Sequence, residues 1–135
     1  MVHVEYALMQ DFIKISVSGH AGYAEKGNDI VCAGVSALTA ALFVFTERNV
    51  SLADAGLFIK RTADGFAALT VAEIPDEKLR LQLAAVFSAC ISGLIEIEQQ
   101  YPDYIKIRDI TSQCETSDID TPEQTENMRE GRGER

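Results

Sequence analysis

The chain has 135 residues, of which 47% are hydrophobic, and its formal net charge is −9. This length predicts one domain, and the apolar content is sufficient for a core that needs no metal or disulfide. An acidic protein repels the phosphate backbone, which disfavours direct nucleic-acid binding.

The cysteines and the first residues indicate the compartment. Three cysteines, at positions 32, 90 and 114, form an odd set without a C-x-x-C pair, which is typical of a reducing cytoplasm. Their spacing from the two histidines matches no zinc pattern, so we expect no metal and no cofactor. No apolar run of about 18 residues is uninterrupted, and the chain starts without a secretory signal. The sequence therefore predicts a cytoplasmic protein without a membrane span.

The first twenty residues alternate apolar and polar side chains, which predicts two strands joined by a tight turn at Gln10-Asp11. The apolar faces of these strands carry Val2, Val4, Tyr6 and Leu8, then Ile13, Ile15 and Val17. The second strand leads directly to Gly19 and His20. We therefore expect His20 at the edge of a sheet.

A polar loop over residues 21–28 contains two glycines, whose backbone freedom lets the segment bend sharply or move. Asn28 or Asp29 can cap the helix that follows. From Ile30 to about Arg48 the helical pattern is apolar on most sides, which predicts a buried helix through the middle of the domain.

The second half of the chain repeats the order of two strands and one helix. The predicted elements are strands at 57–61 and 66–71, a helix from Pro75 to about Gln100, and a fifth strand at 104–110. Asp64-Gly65, between the strands at 57–61 and 66–71, is typical of a hairpin turn. The order ββαββαβ predicts an α+β fold, a largely antiparallel five-stranded sheet with two long helices on one face or on both.

The composition changes after residue 110. Residues 111–135 carry seven acidic and three basic residues, which is −4 of the net charge, and few large apolar side chains. Such a segment cannot bury enough area to offset its ordering entropy. We therefore expect a folded domain over 1–110 and an acidic, disordered C-terminal tail over 111–135. Cys114 in this tail is predicted to be a solvent-exposed thiol without a role.

His20 and Cys32 are the candidate catalytic residues. If Asp29 is the cap, Cys32 occupies the third helical position, where unpaired backbone N–H groups and the helix dipole favour the thiolate. A histidine alongside could hold the proton and deliver it to a leaving amine, while the N–H groups stabilise an oxyanion. The arrangement indicates acyl transfer, most naturally peptide hydrolysis.

Each of these residues also has a simpler interpretation. A cysteine in an apolar helix is more often a small buried hydrophobe, as we expect for Cys90. A lone histidine near a strand end is more often a surface or turn residue. Asp29 is most simply a helix cap. Ser36, one turn after Cys32, either supports the site or bonds a backbone carbonyl.

The run Gly19-His20-Ala21-Gly22-Tyr23, followed by Gly27-Asn28-Asp29-Ile30-Val31-Cys32-Ala33-Gly34-Val35-Ser36, resembles the signature of the ribosomal-processing cysteine proteases called Prp, or YsxB-like proteins. The Gly-His-Ala and Asp-Ile-Val-Cys-Ala elements at this separation are far more specific than an isolated cysteine and histidine. The predicted order of elements over 1–110 is similar to that family, whereas residues 111–135 exceed its usual length.

This resemblance implies a role for each part of the stretch. Cys32 matches the nucleophile and His20 the base, and Asp29 and Ser36 match the positions that support them. The matching mobile substrate loop contains Ala21, Gly22, Tyr23, Gly27 and Asn28. The resemblance also implies a homodimer that removes the N-terminal extension of the twenty-seventh large-subunit ribosomal protein. An apolar specificity groove is implied too, because the family's cleavage motif contains adjacent phenylalanines.

Two alternatives stay beside the protease hypothesis. A non-catalytic ribosome-assembly or protein-binding module would keep the fold, with a Cys32 no more reactive than Cys90. A thiol redox sensor would use an oxidisable Cys32 thiolate, with Cys90 as the resolving partner. None of the three hypotheses requires a nucleic acid or a membrane as a partner.

Overall fold

The computed structural model of the protein describes residues 1–114, so residues 115–135, most of the predicted tail, lie outside the described residues. The elements in chain order are β1 (Val2–Met9), β2 (Phe12–Ser18), α1 (Ile30–Asn49), β3 (Leu57–Ala63), β4 (Phe66–Ala72), α2 (Glu77–Gln100), β5 (Ile105–Asp109) and a short 3-10 helix (Thr111–Gln113). This order confirms the predicted ββαββαβ arrangement.

The five strands form one sheet in the order β3-β4-β2-β1-β5. The β1–β5 pair is parallel and the other three pairs are antiparallel, which confirms the predicted α+β fold. In the β2–β4 pair, Ser18 lies opposite Phe66. This register brings the end of β2, and His20 beyond it, beside the turn that joins β3 and β4.

Both helices pack on the same face of the sheet, which the sequence left undecided. Alternate strand residues point to this face and form one apolar core with residues of α1 and α2. Members of this core with no more than 1% exposure include Val4, Ile15, Leu69, Phe87, Leu94 and Ile105. The core therefore lies in a single layer between the sheet and the two helices.

The prediction that α1 is buried on most sides is wrong. Its buried residues form one stripe, made of Val31, Val35, Thr39, Leu42, Phe43 and Thr46. The other side exposes small residues and Val44, which is 41% exposed. In a two-layer fold every helix keeps one side toward solvent, and the alanines that make α1 apolar do not need burial. Both helices are long and apolar enough to cross a membrane, a test of length and composition alone that core helices of soluble proteins also pass.

The chain after β5 folds back against β1. The Ile110 N–H donates to the carbonyl oxygen of Tyr6 at 2.8 Å, and the Leu8 N–H donates to Thr111 Oγ1 at 3.2 Å. Cys114 is consequently half-buried against a second apolar cluster, on the sheet face away from the helices. The members of that cluster are Ala7, Phe12, Leu57 and Ala72. The prediction of a solvent-exposed Cys114 is therefore wrong.

Candidate active site

His20 lies just beyond the end of β2, next to the β3–β4 turn. Gly19 has a φ of +89°, and its N–H donates to the carbonyl oxygen of Gly65 at 2.8 Å. A Cβ at Gly19 would overlap the carbonyl oxygen of Met1, so this position accepts only glycine. A Cβ at Gly65 would lie 2.8 Å from Nε2 of His20. The imidazole therefore lies directly against the backbone of the turn.

Asp29 caps α1 and ties the preceding loop to it. Its Oδ1 accepts from the Cys32 N–H at 2.9 Å, while Oδ2 accepts from the N–H groups of Tyr23 at 3.0 Å and Ala24 at 3.4 Å. These bonds favour the charged carboxylate, so they lower the pKa of Asp29, with the Cys32 bond as the largest cause. Within the described part of the chain no hydrogen bond joins Asp29 to His20. The predicted cap is confirmed, and Cys32 lies at the third helical position.

The cap also changes which N–H groups could bind an oxyanion. The Cys32 N–H is bonded to the Asp29 carboxylate, and the Ala33 N–H donates to the Asp29 carbonyl oxygen at 3.0 Å. Neither donor is available while the cap is intact. The positive end of the helix dipole remains, and it favours negative charge that develops on a molecule bound at the first turn.

A groove of about 930 Å³ runs between α1 and the β3–β4 hairpin, and His20 and Cys32 both line it. The α1 side presents Cys32, Ser36, Thr39, Ala40, Phe43 and Glu47. The opposite wall runs along the hairpin between Lys60 and Ala67, and Asp29 with part of the loop borders the groove near Cys32. Cys32 is half-buried and His20 exposed, so both are accessible to a bound molecule. An ion pair between Lys60 and Glu47 joins the two walls away from Cys32.

The loop over residues 21–28 is attached to the body of the protein at Tyr23. The Tyr23 ring meets the rings of Tyr101 and Tyr104 edge-on, with centroids 5.5 and 5.2 Å away. Ala21 is buried, whereas residues 22–28 are exposed. The loop is thus fastened at its aromatic contact and at the Asp29 carboxylate, with exposed backbone between these points.

Comparison with known proteins gives the family. The model of the family described as Cysteine protease Prp matches residues 1–106. The chain belongs to the Prp family. The Ribosomal processing cysteine protease Prp of Bacillus subtilis (strain 168) is 30% identical over 98 residues, which is 70% of this chain and 83% of that protein. The protein is therefore a cysteine protease, a peptide hydrolase.

Solved structures share the fold of this Prp family member. An essential ribosomal processing protease Prp from S. aureus, in complex with a covalently linked product peptide, superposes with a TM-score of 0.62 at 21% identity. The match covers 81% of this chain and 99% of that one. SMU.848 from Streptococcus mutans matches with a TM-score of 0.53 at 26% identity, covering 81% and 93% of the two chains. The ββαββαβ sheet and helices are thus a fold known from crystal structures.

Cys90 belongs to the core of this Prp family member, as predicted. It is 4% exposed, and burial raises the pKa of its thiol to about 11. A thiol that is desolvated in this way stays protonated at neutral pH. Cys90 therefore has no part in the chemistry of the groove.

The packing of α1 on α2 also separates Cys90 from Cys32. The close contacts pair Gly34 with Ile97 and Leu38 with Gly93. This antiparallel register places Cys90 opposite residue 41, nine residues beyond Cys32, or about 14 Å along the helix. A disulfide needs Cα atoms within about 7 Å. The Cys32–Cys90 bridge of the redox-sensor hypothesis does not fit this arrangement.

Sequence reasoning missed the wall of the groove that the β3–β4 hairpin forms. The Asp64-Gly65 turn was visible as a hairpin signal, but its position beside His20 depends on the pairing of β2 with β4. Thr39 was also missed, because a threonine inside an apolar helix carries no signal of its own. Within residues 1–114 no group of three or more His, Cys, Asp and Glu side chains could hold a metal ion.

Proposed function

We propose that the protein cleaves peptides with Cys32 as the nucleophile and His20 as the base. The Cys32 sulfur attacks the scissile carbonyl carbon while His20 takes the thiol proton and then delivers it to the leaving amine. Water afterwards attacks the thioester, releasing the acyl group as a carboxylic acid and restoring the thiol. The single observation that supports this pair is that both side chains line one accessible groove, at a strand exit and a helix start.

The supporting residues act through position. Asp29 accepts hydrogen bonds from both the first turn of α1 and the loop, and so joins them. This contact holds Cys32 in the first turn of the helix. Ser36 lines the groove one turn further along, within reach of a peptide bound at Cys32. The loop residues Ala21, Gly22, Tyr23, Gly27 and Asn28 form the substrate loop, which covers bound peptide.

We propose that the substrate is the N-terminal extension of the twenty-seventh large-subunit ribosomal protein. Membership of the Prp family supports this, and so does the name of the Bacillus subtilis relative, a ribosomal processing protease. The apolar side chains of Val17, Val35 and Phe43 in the groove suit the adjacent phenylalanines of the family's cleavage motif. The net charge of −9 suits a basic ribosomal protein.

The resemblance to the family also supports a homodimer in the cytoplasm, with residues 1–110 as the protease domain. Residues 111–135 are the proposed acidic tail, and its first four residues, 111–114, pack against the domain. All three cysteines are free thiols, which is typical of a reducing compartment. The family match ends at residue 106, close to the proposed end of that domain.

Incubation with the extended ribosomal protein, followed by intact-mass measurement, tests the proposal. We expect the wild-type protein to remove the extension, and Cys32→Ala and His20→Ala to leave the substrate mass unchanged. Cys114→Ala is the matched control, because this thiol is half-buried on the other face of the sheet and should leave cleavage unaltered. Cleavage by Cys32→Ala would refute the dyad. Tight binding by the wild type without any cleavage would favour the non-catalytic module.

A further inference from the structure

One residue that lines the groove carries a buried polar atom without a hydrogen-bond partner among the described residues. Thr39 Oγ1 makes no hydrogen bond to any described residue, and Thr39 is 8% exposed. Thr46, the other buried threonine of α1, donates instead to the carbonyl oxygen of Leu42 at 2.7 Å. A buried hydroxyl that lacks a hydrogen bond destabilises a protein. Since Thr39 lines the groove, a molecule bound there is one source of the missing partner.

The depth of Thr39 indicates which part of a bound peptide would reach it. Ser36 and Ala40 line the groove and are exposed, so they form its mouth, whereas Thr39 is almost fully buried and forms its floor. The main chain of a peptide in this groove lies near the mouth. A side chain directed inward is the group that extends to the floor.

The distance along α1 indicates which residue of the peptide this is. Thr39 follows Cys32 by seven residues, or about 10 Å along the helix axis. An extended peptide advances about 3.3 Å per residue. If the scissile bond of a peptide lies at Cys32, the third residue from that bond, toward the Glu47 end of the groove, therefore lies at Thr39.

We propose that Thr39 is a specificity-determining residue, whose hydroxyl hydrogen-bonds a neutral polar side chain at the third substrate residue from the scissile bond. This inference rests on the proposed protease function. A neutral partner is favoured because the turns on either side of Thr39 present Val35 and Phe43, which offer nothing to compensate a buried charge. Because Oγ1 is buried in this structure, the proposed bond requires a rotation about χ1, and threonine in a helix populates two χ1 rotamers.

The test compares Thr39→Val, which exchanges the hydroxyl for a methyl group, with Thr39→Ser, which keeps it. The probes are short peptides from the extended ribosomal protein that span the cleavage site. One pair of peptides carries Gln or the similarly shaped Met at the third residue before the scissile bond. A second pair carries Gln or Met at the third residue after it. We expect Thr39→Val to lower kcat/KM roughly three- to tenfold for Gln at one of the two positions and not for Met. Thr39→Ser should keep the preference.

A second readout separates recognition from a structural role. Thr39→Val should raise the thermal midpoint by roughly 2–4 °C, because it removes an unsatisfied buried hydroxyl. Equal cleavage of Gln and Met peptides by wild type and Thr39→Val would overturn the inference. A lower midpoint for Thr39→Val, with unchanged cleavage, would show that the hydroxyl bonds the helix backbone and would also overturn it. Absence of Cys32-dependent cleavage by the wild type would instead overturn the proposed function, and this inference with it.

Discussion

The imidazole of His20 lies against Gly65, so close that a Cβ at Gly65 would come within 2.8 Å of Nε2. The carbonyl oxygen of Gly65 also accepts the N–H of Gly19, at 2.8 Å, one residue before the histidine. Both contacts follow from the pairing of Ser18 with Phe66. The turn between β3 and β4 thus supports an exposed histidine that would otherwise have few contacts.

Gly65→Ala should therefore lower activity more than stability. We expect kcat/KM to fall roughly tenfold to a hundredfold, because small displacements of a reacting group have large effects on rate. Alanine is strained at the φ of +69° that Gly65 adopts, and this strain should lower the free energy of unfolding by about 1–2 kcal/mol. Cleavage kinetics give kcat/KM, and urea unfolding of the same samples gives the free energy of unfolding.

Gly65→Asn is the control for that experiment. Asparagine tolerates a positive φ better than alanine but still carries the Cβ that meets His20. Both variants should lose similar activity, while Gly65→Asn keeps more stability. Activity that recovered together with stability in Gly65→Asn would contradict a positioning role for the turn.

The thiols of Cys32 and Cys90 should differ strongly in reactivity. Cys90 is buried and its pKa is raised to about 11, so only about 0.1% of it is thiolate at pH 8. Cys32 is half-buried, lines the groove and lies in the first turn of α1. Mass spectrometry should show that iodoacetamide labels one cysteine rapidly. This rapid labelling should be absent in Cys32→Ala and unchanged in Cys90→Ala. Equal labelling rates of these two thiols in the folded protein would contradict the prediction.

The two oxygens of Asp29 should have separable roles. Asn has a single carbonyl oxygen, so Asp29→Asn can keep the bond to the Cys32 N–H but loses the acceptor for Tyr23 and Ala24. We expect Asp29→Asn to melt near the wild type while its loop is cleaved faster by an added protease. Asp29→Ala should lose both the helix cap and the loop, and should melt at a lower temperature.

The same carboxylate predicts a pH dependence. Its hydrogen bonds lower the pKa of Asp29 below the ordinary value of 3.8. The stabilisation is therefore complete above that value and is lost as the pH falls through the lowered pKa. The difference in thermal midpoint between wild type and Asp29→Ala should accordingly shrink between pH 5 and the most acidic pH at which the protein folds. A constant difference over that range would show that the charge of Asp29 has no effect on stability.

Local features of the site could be predicted from the sequence, and contacts between distant segments could not. Asp29 is three residues before Cys32, and a helix cap depends only on such neighbours, so the cap and the helical position of Cys32 were both predictable. The contact of Gly65 with His20 depends on which strand pairs with β2, and side-chain alternation carries no information about partners. The same limit applies to α1, whose apolar pattern does not indicate what covers each side.

Tyr23 makes another non-local contact, because its ring packs on Tyr101 and Tyr104, which lie between the end of α2 and the start of β5. Each edge-on aromatic contact contributes about 0.5–1.5 kcal/mol, so together they favour one position of the proposed substrate loop. Tyr23→Ala should raise KM several-fold with a smaller change in kcat, because bound peptide must then order a looser loop. Hydrogen exchange of residues 22–28 should become faster in the same variant.

Tyr23→Phe is the matched control for the loop, since it keeps the ring contacts and removes only the hydroxyl. It should behave like the wild type in both measurements. Tyr101→Ala should reproduce part of the effect, and the Tyr23→Ala/Tyr101→Ala double variant should loosen the loop no further than Tyr23→Ala alone. Additive effects in the double variant would mean that Tyr101 acts on the loop by another route. Unchanged exchange in Tyr23→Ala would mean that the bonds to Asp29 alone hold the loop.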